Sequence, residues 1–329
     1  MDALIARWPR LAETLPHVDL QVRETPIEQW NLGGVALLAK RDDLSTPTFG
    51  GNKARALELL LAGVSPGDVL LTVGSSGSTH ALAVALFGQQ LGARTRVFTW
   101  PQEEHAISRA TSERLRMVAQ VTASRTPVMA MLRASLARLT GGRRVRWIPA
   151  GGSSALGALG HANAAVELAD QLARASAPAP DTLVVPLGSG GTAAGLMLGL
   201  ALAGLPTRVL GVRVVPRLVA NRRRVLRLAR AAGALFGELA GVAPPEIGED
   251  RLVVEQAQYG GAYARETDAS RAALALVRAA GGPSLEGTYS AKALAAALTH
   301  ARSSPRERVL FWLTFDGRWL DSQLAQQRA

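Results

Sequence analysis

A chain of 329 residues is too long for one ordinary core and calls for about two domains. Hydrophobic residues make up 48% and charged residues 19%, which excludes wholesale disorder, and the lack of cysteine excludes disulfides, thiolate metal sites and a cysteine nucleophile. The net charge of +11, with arginines clustered at Arg143, Arg144, Arg146 and at Arg222, Arg223, Arg224, Arg227, Arg230, would suit nucleic acid, but few aromatics are interleaved and no helix-turn-helix or zinc-finger spacing appears, so it reads as a generally basic surface.

Residues 1–10 are mixed and charged, and no apolar run reaches the roughly 18 residues that span a bilayer, so a soluble cytoplasmic protein is expected, without membrane or nucleic-acid partners. Phe49-Gly50-Gly51-Asn52-Lys53 precedes a helix-forming run over 54–62. Residues 69–73 read as a buried strand, followed by a Gly/Ser turn and a helix over 81–91. A strand at 95–99 comes next, then one at 145–148 that ends in Pro149 and a Gly-Gly turn before a helix through 164–172. After an Ala/Pro linker at 175–180, the strand 182–187 leads through a glycine-rich turn into a helix that stops near Gly204, with Pro206 just beyond. Residues 209–214 and 309–313 are further strands. Strands alternating with helices predict an α/β protein with parallel sheets, and no internal repeat is seen.

Three loops carry chemistry. Gly188-Ser189-Gly190-Gly191-Thr192 opens a helix after a strand, where unpaired N–H groups and the helix dipole favour an anion. The run fits neither the dinucleotide G-x-G-x-x-G spacing nor a P-loop, so a phosphomonoester suits it better than a dinucleotide; a plain strand-to-helix turn capped near Thr192 is the alternative. Lys53 sits at a loop-to-helix junction among glycines and an asparagine. A solvated surface lysine is the common case, but desolvation beside a helix N-terminus lowers the amine's pKa and makes it nucleophilic toward an aldehyde. An anion loop and such an amine together describe what pyridoxal 5′-phosphate needs. Gly74-Ser75-Ser76-Gly77-Ser78-Thr79-His80 either caps the helix that follows or binds a substrate carboxylate, with Ser78 beside Lys53; His80 alone reads better as a satisfied core histidine.

Three segments resemble one family. The run 50–58 (GGNKARALE) is similar to the lysine motif of the D-cysteine desulfhydrase and 1-aminocyclopropane-1-carboxylate deaminase family, 148–160 to its linker into the larger domain, and 185–196 to its phosphate loop. The likeness runs from about Lys40 to Phe311. It implies the fold of the tryptophan synthase β-subunit: two open, twisted, mostly parallel sheets flanked by helices. A larger cofactor domain is expected from 1–53 and 163–329, a smaller one from 54–162, with the active site between them, usually in a homodimer. By resemblance, Lys53 is the lysine that binds pyridoxal phosphate covalently, and Ser78 the serine that holds the substrate carboxylate and assists proton removal. Gly188, Ser189, Gly190, Gly191 and Thr192 form the phosphate cradle, Tyr263 and Tyr289 are active-site tyrosines, and Asn52, Thr79, Ser290 and Thr314 belong to the cofactor site. Thr79 and His80 join Ser78, Tyr263 and Tyr289 around the substrate.

Ser290 and Thr314 bear on the reaction. Deaminases of this family carry glutamate after the second tyrosine and leucine on the last strand, whereas desulfhydrases carry serine or threonine and then threonine. A carboxylate at the pyridine nitrogen keeps it protonated and the ring a strong electron sink, as opening a cyclopropane requires; a hydroxyl suffices to expel a thiol. The expected reaction is therefore α,β-elimination from a small amino acid, D-cysteine giving pyruvate, sulfide and ammonia. The alternatives are 1-aminocyclopropane-1-carboxylate deamination to 2-oxobutyrate, elimination from L-cysteate or another D-amino acid, a cofactor-binding protein without turnover, and a nucleic-acid binder. Three departures from the family leave the substrate open: Thr79 in place of asparagine, His161 in place of tyrosine, and Phe315-Asp316 in place of a glycine pair.

Overall fold

The computed structural model describes residues 1–319. Two short helices, α1 (Asp2–Arg7) and α2 (Leu11–Thr14), lead into a hairpin of β1 (Ile27–Leu32) and β2 (Val35–Lys40) and then α3 (Asn52–Leu60). The next stretch holds β3 (Val69–Ser75), α4 (Thr79–Gln90), β4 (Arg94–Trp100), α5 (Ala106–Val118), β5 (Gln120–Ala123), α6 (Pro127–Thr140) and β6 (Val145–Trp147). There follow α7 (Ala155–Arg174), β7 (Thr182–Leu187), α8 (Gly191–Leu202), β8 (Arg208–Arg213), α9 (Arg222–Ala240), β9 (Leu252–Glu255), α10 (Asp268–Ala279), α11 (Ser290–Ser303) and β10 (Val309–Trp312).

The strands form two sheets. One has the order β1-β2-β10-β7-β8-β9, parallel except for the β1–β2 hairpin; the other, β5-β4-β3-β6, is wholly parallel. The smaller sheet takes every strand from 69–147, the larger from 27–40 and 182–312. The expected boundary at 162/163 falls inside α7, which runs unbroken from Ala155 and packs on α8 and α9. Parallel strands covered on both faces become continuous apolar runs, and β7 is buried along its whole length. The helices α4 and α8 are apolar on all sides because each is enclosed, as expected of a helix lacking a polar face.

Helix α7 brings the two chemically important helix starts together. A Cβ on Gly160 would sit 2.0 Å from the Arg55 carbonyl of α3, and one on Gly195 of α8 would sit 2.2 Å from the Ala158 carbonyl. Only glycine permits either approach. Below α3 lies a buried ionic network: Arg55 bonds Asp42 (2.6 Å) and Glu167 (2.9 Å), and Lys40 Nζ donates to Glu167, Gln171 and the Thr25 carbonyl, each at 2.6 Å. Asp42 also accepts from Trp312 Nε1 of β10 (3.0 Å), tying the base of α3 to the centre of the larger sheet.

Two helices begin earlier than the sequence suggests. The helix α3 starts at Asn52 rather than residue 54, and α4 at Thr79 rather than 81. Lys53 thereby enters the first turn of a helix. Thr192 lies near the N-cap of α8, as the sequence suggests: the cap is Gly190, in a left-handed conformation at φ 95°, and Thr192 is the second helical residue.

Candidate active site

A cleft of about 1250 Å³ opens at the carboxyl ends of the strands of both sheets, where ligands of open α/β folds bind. Its walls include Asn52, Lys53, Gly74, Ser75, Ser78, Thr79, His80, the Gly188–Thr192 loop, Tyr263, Tyr289 and Thr314. The structure therefore collects all the expected site residues in one place except Ser290, which lies one residue behind the wall at Tyr289, fully buried.

Lys53 is half-buried. Desolvation by the cleft walls pulls its amine down to about 8, against the opposing field of Glu286. Asn52, on the same turn, donates from Nδ2 to Thr192 Oγ1 at 2.7 Å, so the lysine helix is bonded directly to the start of α8. On the other side His161 Nε2 lies 3.5 Å from that hydroxyl. At the phosphate loop, Ser153 Oγ accepts from Gly191 N (3.1 Å) and donates to Ser189 Oγ (2.6 Å), fixing the turn. The Ser189 and Thr192 residues and the positive end of an apolar helix face the cleft there.

Ser78 serves both of its expected readings: its Oγ caps α4 by accepting from Ala81 N at 3.2 Å, and the same residue lines the cleft. His80 is turned toward the sheet, with Nε2 3.2 Å from Thr72 Oγ1. Burial and then the Lys53 charge push the imidazoles of His80 and His161 down to about 3, so both are neutral at physiological pH. Across the cleft the phenols of Tyr263 and Tyr289 are hydrogen-bonded at 2.8 Å, and Ser75 Oγ lies 3.4 Å from Tyr263. Burial raises both phenols, Tyr289 well above its ordinary value, so they act as protonated donors rather than tyrosinates.

Glu286 was not singled out by sequence reasoning. Its carboxylate accepts the N–H groups of Thr288 (2.7 Å), Tyr289 (2.8 Å) and Ser290 (2.5 Å), doing for α11 what the cap residue Tyr289 does not. Burial raises its pKa, and those bonds hold the rise in check. A carboxylate ahead of a helix start was the available signal. Ser153 stood in a recognised segment, but only the fold places it against residue 191.

These residues meet the demands of one ligand type. A phosphate fits the α8 loop, a carbonyl fits the amine of Lys53, and the neutral hydroxyls of Thr314 on the wall and Ser290 just behind it suit a ring heteroatom. Such a cleft defines an α/β enzyme built around pyridoxal phosphate. The pyridoxal-phosphate dependent enzyme family matches residues 18–314, and the chain belongs to it. It is similar to the Nocardicin C-9′ epimerase of Nocardia uniformis subsp. tsuyamanensis, 37% identical over 70% of this chain and 72% of that protein. It is also similar to the D-cysteine desulfhydrase of Serratia proteamaculans, 30% identical over 85% and 86%. The crystal structure of a 1-aminocyclopropane-1-carboxylate deaminase homologue superposes with a TM-score of 0.78 at 28% identity, covering 99% of both chains. The cofactor is pyridoxal 5′-phosphate, and the chain is an enzyme of the desulfhydrase and deaminase family of lyases, as the motifs predict. Among the described residues no helix is long and apolar enough to cross a membrane.

Proposed function

We propose that the protein eliminates the β-substituent of a small amino acid, with D-cysteine, yielding pyruvate, sulfide and ammonia, as its substrate. The observation that carries this reading is that the residue after Tyr289 is Ser290, a neutral, fully buried hydroxyl at a position where a carboxylate would favour ring opening. The desulfhydrase relative agrees with it.

When bound, pyridoxal phosphate supplies the electron sink that lets an amino acid lose a proton at its α carbon. The residues of the chain divide the remaining work. The Gly188–Thr192 turn holds the phosphate, and Asn52 keeps that turn in register with Lys53. The substrate carboxylate is received at the N-terminus of α4 by the Ser78–Thr79 turn. Lys53, with its amine at about 8, is neutral in roughly a tenth of molecules at pH 7 and takes the α proton as a general base. As the carbon–sulfur bond breaks, its electron pair leaves with sulfur, and the protonated Tyr263–Tyr289 pair donates to the departing thiolate. Water then releases ammonia from the unsaturated product. We further propose that the enzyme works as a homodimer in the cytoplasm, with Thr314 and Ser290 belonging to the cofactor site.

The epimerase relative favours a second reading: removal of the α proton and delivery of another to the opposite face, without loss of a substituent. One experiment separates them. Purified holoenzyme is given D-cysteine and other β-substituted D- and L-amino acids in deuterium oxide. Pyruvate formation supports elimination; recovered amino acid bearing deuterium at the α carbon with inverted configuration supports epimerisation. Release of 2-oxobutyrate from 1-aminocyclopropane-1-carboxylate would instead make it a deaminase. Absence of pyruvate from every β-substituted amino acid overturns the proposal.

A further inference from the structure

The segment 256–267 carries Tyr263 into the cleft, and its two ends are held differently. Its base is fixed from its own side: Lys292 Nζ donates to the Tyr259 carbonyl at 3.1 Å, the Arg213 guanidinium lies 4.5 Å over the Tyr259 ring, and Thr267 Oγ1 donates to Gln258 at 2.8 Å. Its tip is held from the opposite side of the cleft. His105 Nε2 lies 2.7 Å from the Ala264 carbonyl, and Arg265 Nε lies 3.5 Å from Glu103. A carbonyl only accepts, so Nε2 carries the proton.

Residues 103–105 join β4 to α5 and so belong to the smaller sheet. His105 is the cap residue of α5, and its N–H donates to Ser108 Oγ at 2.8 Å, so the ring projects from a fixed backbone. Ala264 is fully buried at φ 65°, a left-handed conformation that costs an L-residue about 1–2 kcal/mol and persists only where the surroundings impose it. The His105 bond grips the carbonyl of that strained residue. The neighbour on its N-terminal side is Tyr263, whose phenol meets Tyr289.

We propose that His105 is a positioning residue that clamps Ala264 across the cleft and thereby sets the Tyr263 phenol against Tyr289 and the departing group. The proposal rests on the role given to Tyr263 above. It makes proton delivery depend on the two sheets being drawn together, because the clamp on the tip comes from the other one.

The test uses holoenzyme carrying His105→Ala, His105→Gln, Tyr263→Phe, and the His105→Ala/Tyr263→Phe pair. Amide hydrogen exchange over 257–266 is expected to quicken about tenfold or more in His105→Ala, with 222–240 unchanged. On whichever amino acid is turned over, His105→Ala is expected to lower kcat about ten- to hundredfold with little change in KM. In the Tyr263→Phe background the same change should cost no more than about threefold, and His105→Gln, which keeps an N–H donor, should recover part of the loss. Unaltered exchange over 257–266, losses that simply multiply in the double variant, or a glutamine no better than alanine would each overturn the proposal. If no amino acid is turned over, the functional reading fails, and the exchange measurement still decides the clamp.

Discussion

Asn52 Nδ2 donates to Thr192 Oγ1 at 2.7 Å, and this bond joins the helix that presents the reactive amine to the helix that presents the anion site. Both residues occupy the first turns of their helices, and both helices pack against α7 through a glycine, Gly160 of α7 for α3 and Gly195 of α8 for the other. The distance between amine and phosphate site is therefore set by helix packing rather than by loop conformation. Asn52→Ala removes the donor and leaves the Thr192 hydroxyl buried with one weak partner. A single neutral hydrogen bond contributes about 0.5–1.5 kcal/mol, so cofactor affinity should fall about two- to tenfold. Titration of apoenzyme with pyridoxal phosphate, followed by absorbance, measures it; an unchanged Kd would show that the bond does not set the site.

Burial of Lys53 should be visible in stability. Its amine falls from 10.5 to about 8, first through desolvation and against the field of Glu286. Between those values the unfolded chain holds a proton that the folded chain has released, so the folded state gains as pH rises through that window. At pH 7 the charged amine is a burden on apoenzyme. Lys53→Met should therefore stabilise apoenzyme at pH 7, by on the order of 1–2 kcal/mol once solvent access to the half-buried amine is allowed for. The advantage should shrink as pH passes 8 and disappear beyond 10.5. Urea unfolding of both apoproteins at pH 7 and pH 10.5 gives the comparison, and a variant less stable at pH 7 would contradict it.

In the network beneath α3 the charged form stabilises the fold at pH 7 instead of burdening it. Burial alone would raise Glu167, but Arg55 and Lys40 overcome it and hold the carboxyl at about 2. A depressed carboxyl contributes stability that is complete above its unfolded value of 4.5 and is lost as pH falls toward 2. Glu167→Gln leaves Lys40 and Arg55 buried without that charge and should cost about 3–5 kcal/mol at pH 7. The difference between the two proteins should narrow at pH 3. Urea unfolding at the two pH values checks both the size and the direction.

How much of this was legible in the sequence depends on where the signal lies. The anion loop, Lys53 and the serine turn each stand at a strand-to-helix or loop-to-helix junction, and backbone chemistry at such junctions is local, so residue types at close spacing report it. The strands 69–75 and 182–187 are equally plain as largely apolar runs, legible over 69–73 and 182–187, while 94–100, which carries two arginines, is legible over 95–99. The β1–β2 hairpin went unrecognised although Gly33 and Gly34, both at positive φ, form its turn. The clasp of His105 on Ala264 spans 159 residues, and the cap that Glu286 gives α11 acts from outside the helix. Neither has a spacing rule. The network of Lys40, Asp42, Arg55 and Glu167 likewise joins three segments that α7 and the larger sheet bring together. Charged residues scattered at such distances look like surface until the fold assembles them.

The charge that Lys53 feels yields the final prediction. Among the described residues, Glu286 is the group that raises the amine while desolvation lowers it. The same carboxylate is anchored by three N–H groups at the start of α11, so its position is fixed by the helix rather than by the lysine. Glu286→Gln keeps an oxygen that accepts part of that set and removes the negative charge. With the opposing field gone, desolvation acts alone and the Lys53 pKa should fall below about 8, by roughly half a unit or more. A lower value means a larger neutral fraction at pH 7 and a shift of the acid limb of the rate profile to lower pH. Trapping apoenzyme with an aldehyde and borohydride across pH 6–10, with modification at Lys53 followed by peptide mapping, reads the midpoint directly. A midpoint that stays in place or rises would mean that the amine answers to burial alone, and that Glu286 serves the helix without tuning the chemistry.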